Sequence, residues 1–205
     1  MSFIKDGVIV VLSSPSGAGK TTLVKKISKI DNFKISISYT TRIPRINEIN
    51  GKDYYFINKK DFESLIKNEE LLEHAKVFNN FYGSSKKRVF ELLKRGSNVL
   101  FDIDWQGTNQ IKSKNLNYRL LTIFILPPSK KTLLSRLIER EKNDENVIKE
   151  RMAKFDQDVL QWEGYDYVVI NDNLDLCFEE ILNIINKKIN NEQISYDKEN
   201  IEQHI

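Results

Sequence analysis

The sequence contains one cysteine, Cys177, and two histidines in 205 residues. A single thiol cannot form an internal disulfide, and without a CxxC pair there is no zinc or dithiol site to read. Cys177 lies in the apolar-periodic stretch LDLCFEEILNIIN and is expected to be a small buried hydrophobe. His74 and His204 lack metal-ligand spacing and read as structural or solvated. Long apolar runs are also missing. The run Val8 to Leu12 stops after five residues with no small-residue cleavage pattern, so it reads as neither signal peptide nor membrane span. No other run approaches the roughly 20 residues needed to cross a bilayer. A reducing, cytoplasmic setting is expected. Nor does charge of one sign dominate: 32 Lys and Arg oppose 29 Asp and Glu, giving +3 and a pI near 8.7, without the basic stripe of duplex binders. Neither nucleic acid nor membrane is expected as a partner, and either a monomer or a homodimer is compatible.

With 40% hydrophobic residues the chain can bury a core as one domain with insertions. Val8 to Leu12 is apolar and β-branched throughout, bounded by Gly7 and a Ser/Pro/Gly cluster, as suits a strand buried on both faces of a parallel sheet. Leu23, Val24, Ile27 and Ile30 fall at helical spacing over Lys20 to Ile30. Further buried strands are expected at Asn98 to Ile103, Leu120 to Leu126 and Tyr165 to Ile170. Helices are expected at Ser129 to Arg140, Asn146 to Gln161 and Leu174 to Ile189. The alternation implies an α/β fold, a three-layer α/β/α core with a parallel sheet, over residues 1–34 and 96–190. Residues 35–95 break that rhythm with short alternating segments (ISISYT, KDYYFI, LLEHAKVF) and read as a small β-rich insertion. Charged residues crowd around Arg136 to Arg151, suggesting a short lid within about 127–155. The polar tail, 191–205, is expected to be flexible.

The strongest local signal is SSPSGAGKTT, directly after the first strand and before the first helix. In the loop Ser14, Pro15, Ser16, Gly17, Ala18, Gly19, the glycines leave room for backbone N–H groups to curl around phosphate oxygens. The helix that follows aims its positive dipole end at them. Lys20 adds a point charge for the β- and γ-phosphates. Thr21 can place its hydroxyl on Mg²⁺, and Ser16 and Thr22 offer further hydrogen bonds. The strict pattern has glycine where this chain has Ser14. The residues point to a P-loop with ATP as phosphoryl donor and Mg²⁺ as its ion.

Beyond that loop, SYTTRIPR, NGKDYYF, LLEHAKVFNNFYGSS, FDIDWQG, ILPPS, the arginines of RLIER and KERM, and YDYVVIND follow in an order that closely resembles the guanylate kinase family. The likeness runs from about Val8 to Ile189 and implies transfer of the γ-phosphoryl group of ATP to GMP, with dGMP as a second acceptor. By resemblance, residues 35–95 bind GMP. Arg42 and Arg45 then clamp its phosphate, Tyr54 and Tyr82 donate hydroxyls to it, and Glu73 accepts from the N1–H and exocyclic amine of guanine. Asp104 and Ser84 resemble further partners of the base edge, and Ser38 resembles the family serine near O6.

Asp102 ends the strand SNVLFDID, where P-loop enzymes place an acid that orients Mg²⁺ and its waters; capping the helix that begins WQGTNQI is its competing role. Arg136 and Arg140 lie one helical turn apart, and Arg151 about three turns beyond, as the lid arginines of the family do. They are expected to meet the charge of the transferring group alongside Lys20 and Arg42. This chain continues with Glu141 and Lys142 where the family usually has glycine. Asn171 resembles the residue that contacts the donor adenine, with a turn-forming role as its alternative. Two rival readings, a catalytically dead binding module of the same fold and a kinase for another phosphate acceptor, are opposed by the intact loop and by Glu73 with Asp104.

Overall fold

The structure, a computed structural model, describes residues 6–141, 144–194 and 201. The expectation for the tail falls largely on 195–200 and 202–205, and Lys142 and His204 also lie outside the described residues. The chain divides into two compact units, Met1–Ile9 with Asn32–Leu120, and Val10–Asp31 with Leu121–Ile205.

In the second unit, apolar side chains at every position force a strand to seek cover on both faces. Strand β1 (Ile9–Ser13) is buried throughout and leads through the glycine loop into helix α1 (Lys20–Ile27). That helix buries Leu23, Val24 and Ile27 and stops one turn before the expected Ile30, because Ser28 caps it and a turn follows. The chain then runs through the first unit from Asn32 to Leu120 before it returns to the second.

In the first unit, ISISYT is not one strand. Strand β2 (Phe33–Ile35) pairs in parallel with β7 (Asn98–Asp102), whereas β3 (Ser38–Thr40) joins a separate sheet with β4 (Tyr55–Phe56), β5 (Leu71–Val77) and β6 (Asn80–Ser85). Its order is β4-β3-β6-β5, with β3/β4 parallel and the other pairs antiparallel. The β5–β6 hairpin closes on Phe78 and Asn79, both at positive φ as a tight two-residue hairpin turn requires. The stretch expected to be β-rich also holds helices α2 (Lys59–Lys67) and α3 (Lys86–Lys94), capped by Asn58 and Ser85. Each has only nine residues, and the first buries Phe62 alone, so apolar periodicity is too short to announce it. Helix α4 (Trp105–Ser113) follows β7. Trp105 is half-buried at its first position.

Back in the second unit, β8 (Leu120–Leu126) lies between β1 and β9 (Tyr167–Ile170), parallel to β9 with Phe124 opposite Val168. Helix α5 (Lys130–Arg140) is capped by Ser129, α6 (Glu145–Val159) by Asp144, and a 3-10 turn over Leu160–Gly164 precedes β9. That turn shortens both the expected helix to Gln161 and the expected strand from Tyr165, and it buries Trp162. Helix α7 (Leu174–Asn190) buries Cys177, Ile181, Ile184 and Ile185. Strands buried on both faces with helices presenting apolar stripes make the α/β layering expected from the sequence. Among the described residues no helix is long and apolar enough to cross a membrane.

Candidate active site

Of the seven α-helices among the described residues, six receive a side-chain cap at their N-terminus and α1 does not. Its cap position is Gly19 at φ 95°, and no acidic residue lies in its first turn. Backbone N–H groups at a helix start need partners, and a helix that supplies none from its own side chains leaves them available to an anion. Gly17 at φ 98° completes the left-handed loop geometry that L side chains avoid. Both glycines are also held by packing. A Cβ at Gly17 would come within 3.0 Å of Leu133 and Leu137, and one at Gly19 would collide with the Asn171 amide. Ser14 donates to the carbonyl of buried Pro15 (2.9 Å), so the hydroxyl at this departure from the strict pattern is used inside the loop. Lys20, Thr21 and Thr22 form the first turn of α1.

Asn171, 3% exposed, donates from Nδ2 to the Ala18 carbonyl at 2.7 Å, and its own carbonyl accepts from Nη2 of Arg136 at 3.0 Å. Its Oδ1 and the Nη1 of Arg136 are buried without hydrogen-bond partners. Such groups are rare in native proteins and suit a ligand. Arg140 and Arg151 reach the loop instead: Nη2 and Nη1 donate to Oγ of Ser16 at 3.1 and 2.5 Å. Helix α5 ends at Arg140, and Arg151 comes back from α6.

In the first unit the carboxylate of Glu73 is 2% exposed. A register shift between Leu71 and Glu73 sets this residue opposite Ser84, whose hydroxyl donates to Oε1 at 2.6 Å, with Ser38 Oγ 3.4 Å from Ser84 Oγ. Bulges re-aim side chains in this way. Burial pushes the Glu73 carboxyl up to about 7, opposed by hydrogen bonds from Ser84 and reinforced by the negative charge of Asp104. The cap role entertained for Asp102 belongs to Asp104, which accepts from the N–H groups of Gln106 (3.0 Å) and Gly107 (3.2 Å). Asp102 ends β7, and its charge acts on Tyr54.

Arg42 lies over the Tyr54 ring at 5.4 Å, and Tyr54 packs edge-on to Tyr82 at 6.0 Å. Burial first and the Asp102 charge second push the Tyr54 phenol above its ordinary range, so it stays an O–H donor. These three expected residues are brought together; Arg45 is not, since its side chain is exposed and only its backbone N–H is held. What holds both arginines is Glu48, absent from the sequence reading. Its carboxylate accepts from Nη2 of Arg42 and from the N–H of Arg45, each at 2.8 Å. Burial opposes its charge, yet these hydrogen bonds prevail and lower its pKa. Sequence reasoning also missed Gln110, whose amide accepts from the His74 N–H (3.1 Å) and donates to its carbonyl (2.6 Å), fastening α4 to the β5 edge beside Glu73. No spacing rule connects these loop and cross-element partners.

Among the described residues no group of three or more His, Cys, Asp or Glu could hold a metal ion.

The guanylate kinase family model matches residues 7–188. The chain is 48% identical over 186 residues to the guanylate kinase of Rickettsia prowazekii (strain Madrid E), covering 90% of this chain and 93% of that one. It is 46% identical over 180 residues to the guanylate kinase of Cereibacter sphaeroides, covering 87% and 85%. The crystal structure of guanylate kinase from Anaplasma phagocytophilum superposes with a TM-score of 0.74 at 34% identity, over 90% of this chain and 87% of that one.

Proposed function

The chain belongs to the guanylate kinase family, and we propose that it performs the family's reaction with the two clusters described above. It is an ATP:GMP phosphotransferase, turning ATP and GMP into ADP and GDP. The residue assignments rest most heavily on the buried carboxylate of Glu73. Burying a carboxylate is costly unless donors meet it. The Watson–Crick edge of guanine presents N1–H and an amine, two donors that adenine does not offer together. Ser84, Ser38 and Asp104 complete that recognition, and the GMP phosphate falls to Arg42, Arg45, Tyr54 and Tyr82. We extend the reading to dGMP as an alternative acceptor.

The ATP phosphates fall to Ser14 through Thr22, with Lys20 on the β- and γ-oxygens and Asn171 at the adenine. The uncapped start of α1 supports this, as do the unpartnered polar atoms of Asn171 and Arg136. Mg²⁺ fits a site of this kind, because it keeps several waters and takes most other ligands from substrate phosphates. Thr21 would hold it and Asp102 would orient its waters; once bound it neutralises phosphate charge. The GMP phosphate already carries the nucleophilic oxygen, so in-line attack needs no general base, and Arg42, Arg136, Arg140 and Arg151 meet the charge of the transferring group. The stretch 35–95 acts as the GMP-binding insertion and about 127–155 as the lid. A cytoplasmic enzyme, monomeric or homodimeric, with no nucleic acid or membrane partner completes the reading.

A coupled ADP-release assay with GMP, dGMP, AMP and UMP in parallel tests it. GMP turns over fastest, dGMP follows, and Lys20→Ala and Arg42→Ala each lower kcat by about 10²-fold or more. Absence of turnover with GMP rejects the activity, and wild-type rates in both variants reject the assignments.

A further inference from the structure

Arg140 and Arg151 come from different helices and converge on one hydroxyl, Ser16 Oγ. Two guanidinium groups brought to one point repel each other, and a neutral hydroxyl does not offset their charge. The offset comes from Glu141. Its Oε1 lies 2.7 Å from Nε of Arg140 and 3.3 Å from Nε of Arg151. The Arg151 and Glu141 side chains are 15% and 16% exposed, so solvent screens that pair little.

The edges in contact matter. A guanidinium is a planar fork whose Nε edge and terminal Nη groups face different directions. Glu141 accepts a hydrogen bond from Nε of Arg140 and lies as an ion-pair partner 3.3 Å from Nε of Arg151, while Nη2 of Arg140 and Nη1 of Arg151 are directed at the phosphate-binding loop. A carboxylate competing with phosphate would occupy those Nη ends instead.

We infer that Glu141 is a positioning residue for phosphoryl transfer, one that holds the two lid arginines from their Nε side so that their Nη ends meet the transferring group together. This rests on the reading of Arg140 and Arg151 as the residues that meet transfer charge. Glu141 touches no substrate in this role and acts only through them. Misplacing a charge donor by about 1 Å is enough to lower turnover substantially.

The test compares Glu141→Gln, Glu141→Ala, Arg140→Ala, Arg151→Ala and the double variant Glu141→Gln/Arg151→Ala in steady-state kinetics, each with a thermal melt. Glu141 follows the last residue of α5, and Glu141→Gln, which keeps shape and an acceptor oxygen, carries the test if Glu141→Ala melts below the wild type. The expected result for Glu141→Gln is a kcat about tenfold lower, with the KM for ATP and for GMP each within about twofold of wild type. In the Arg151→Ala background the same substitution should lower kcat by clearly less than it does in the wild type, because one of the two partners it positions is gone. Wild-type kcat in Glu141→Gln, a lower KM for ATP at unchanged kcat, or a full tenfold loss persisting in the Arg151→Ala background would each overturn the inference. Wild-type turnover in both Arg140→Ala and Arg151→Ala would overturn the lid assignment itself, a result distinct from failure at Glu141 alone.

Discussion

Gly107 faces Glu73 so closely that a Cβ on residue 107 would collide with the carboxylate oxygen Oε2. Glycine inside a helix ordinarily costs about 0.5–1 kcal/mol relative to alanine. Here its missing side chain makes room for the charged end of Glu73. The obstructing atom is the tip of a side chain able to swing, so Gly107→Ala should still fold. We expect a melting temperature within a few degrees of wild type, a KM for GMP raised about tenfold or more, and an unchanged KM for ATP. Equal loss toward both substrates would contradict this.

The buried Glu73 sets a pH dependence of stability. Its carboxyl titrates at about 7 in the folded protein against 4.5 unfolded. Between those values the folded state holds a proton that the unfolded state has released, so stability is fully present below about pH 4.5 and declines as pH rises through about 7. At full ionisation the loss is up to roughly 3 kcal/mol, from about 1.4 kcal/mol per pKa unit. Urea unfolding without nucleotide, wild type against Glu73→Gln, should show the wild type losing ground from pH 5 to 8. Parallel curves would exclude it.

Glu48 should matter to GMP although it faces Arg42 and not the base. Glu48→Gln weakens the hydrogen bond to Nη2 of Arg42 and the one from the Arg45 N–H together. Charge-assisted hydrogen bonds contribute about 1.5–3 kcal/mol. The expected outcome is a KM for GMP raised by about tenfold, with GMP-dependent protection of the 42–50 loop from limited proteolysis reduced. An unchanged KM would limit Glu48 to loop structure.

Asn171→Ala removes the donor to the Ala18 carbonyl, a bond of 2.7 Å inside the loop. Leaving a buried carbonyl unsatisfied costs about 1–3 kcal/mol. Differential scanning calorimetry should record that loss, and nucleotide titration should show weaker ATP binding with GMP binding kept. Asn171→Asp should be worse, since it aims a carboxylate at that carbonyl.

Cys177 is 2% exposed, and burial first, then the nearby Glu180 charge, push its thiol up to about 12. A thiol held protonated and out of solvent is a poor nucleophile. Ellman's reagent should leave the native protein unmodified over the time in which it fully modifies the denatured chain.

How much of this was legible beforehand varied with the range of the interaction. Strands β1, β7, β8 and β9 and helices α1, α5, α6 and α7 were readable to within a few residues, because continuous burial and helical periodicity are written in adjacent side chains. Helices α2 and α3 were not, being nine residues each with short apolar stripes; their caps Asn58 and Ser85 were the only local marks. The division of ISISYT between two sheets depended on partners at Leu100 and Ser84, which no property of the segment itself reveals.

By itself the sequence determined the phosphate loop, since a glycine-permitted left-handed turn running into an uncapped helix involves only neighbours in the chain. The order of its motifs is likewise what led to the proposal that Glu73 and Arg42 serve one recognition task. Tertiary structure decided what holds them: Gln110 on His74 across 36 residues, and Arg151 on Ser16 across 135. A side chain's pKa and aim depend on what folding packs against it, and Gly107 against Glu73, like Glu141 between two arginines, exists only once the chain has closed on itself.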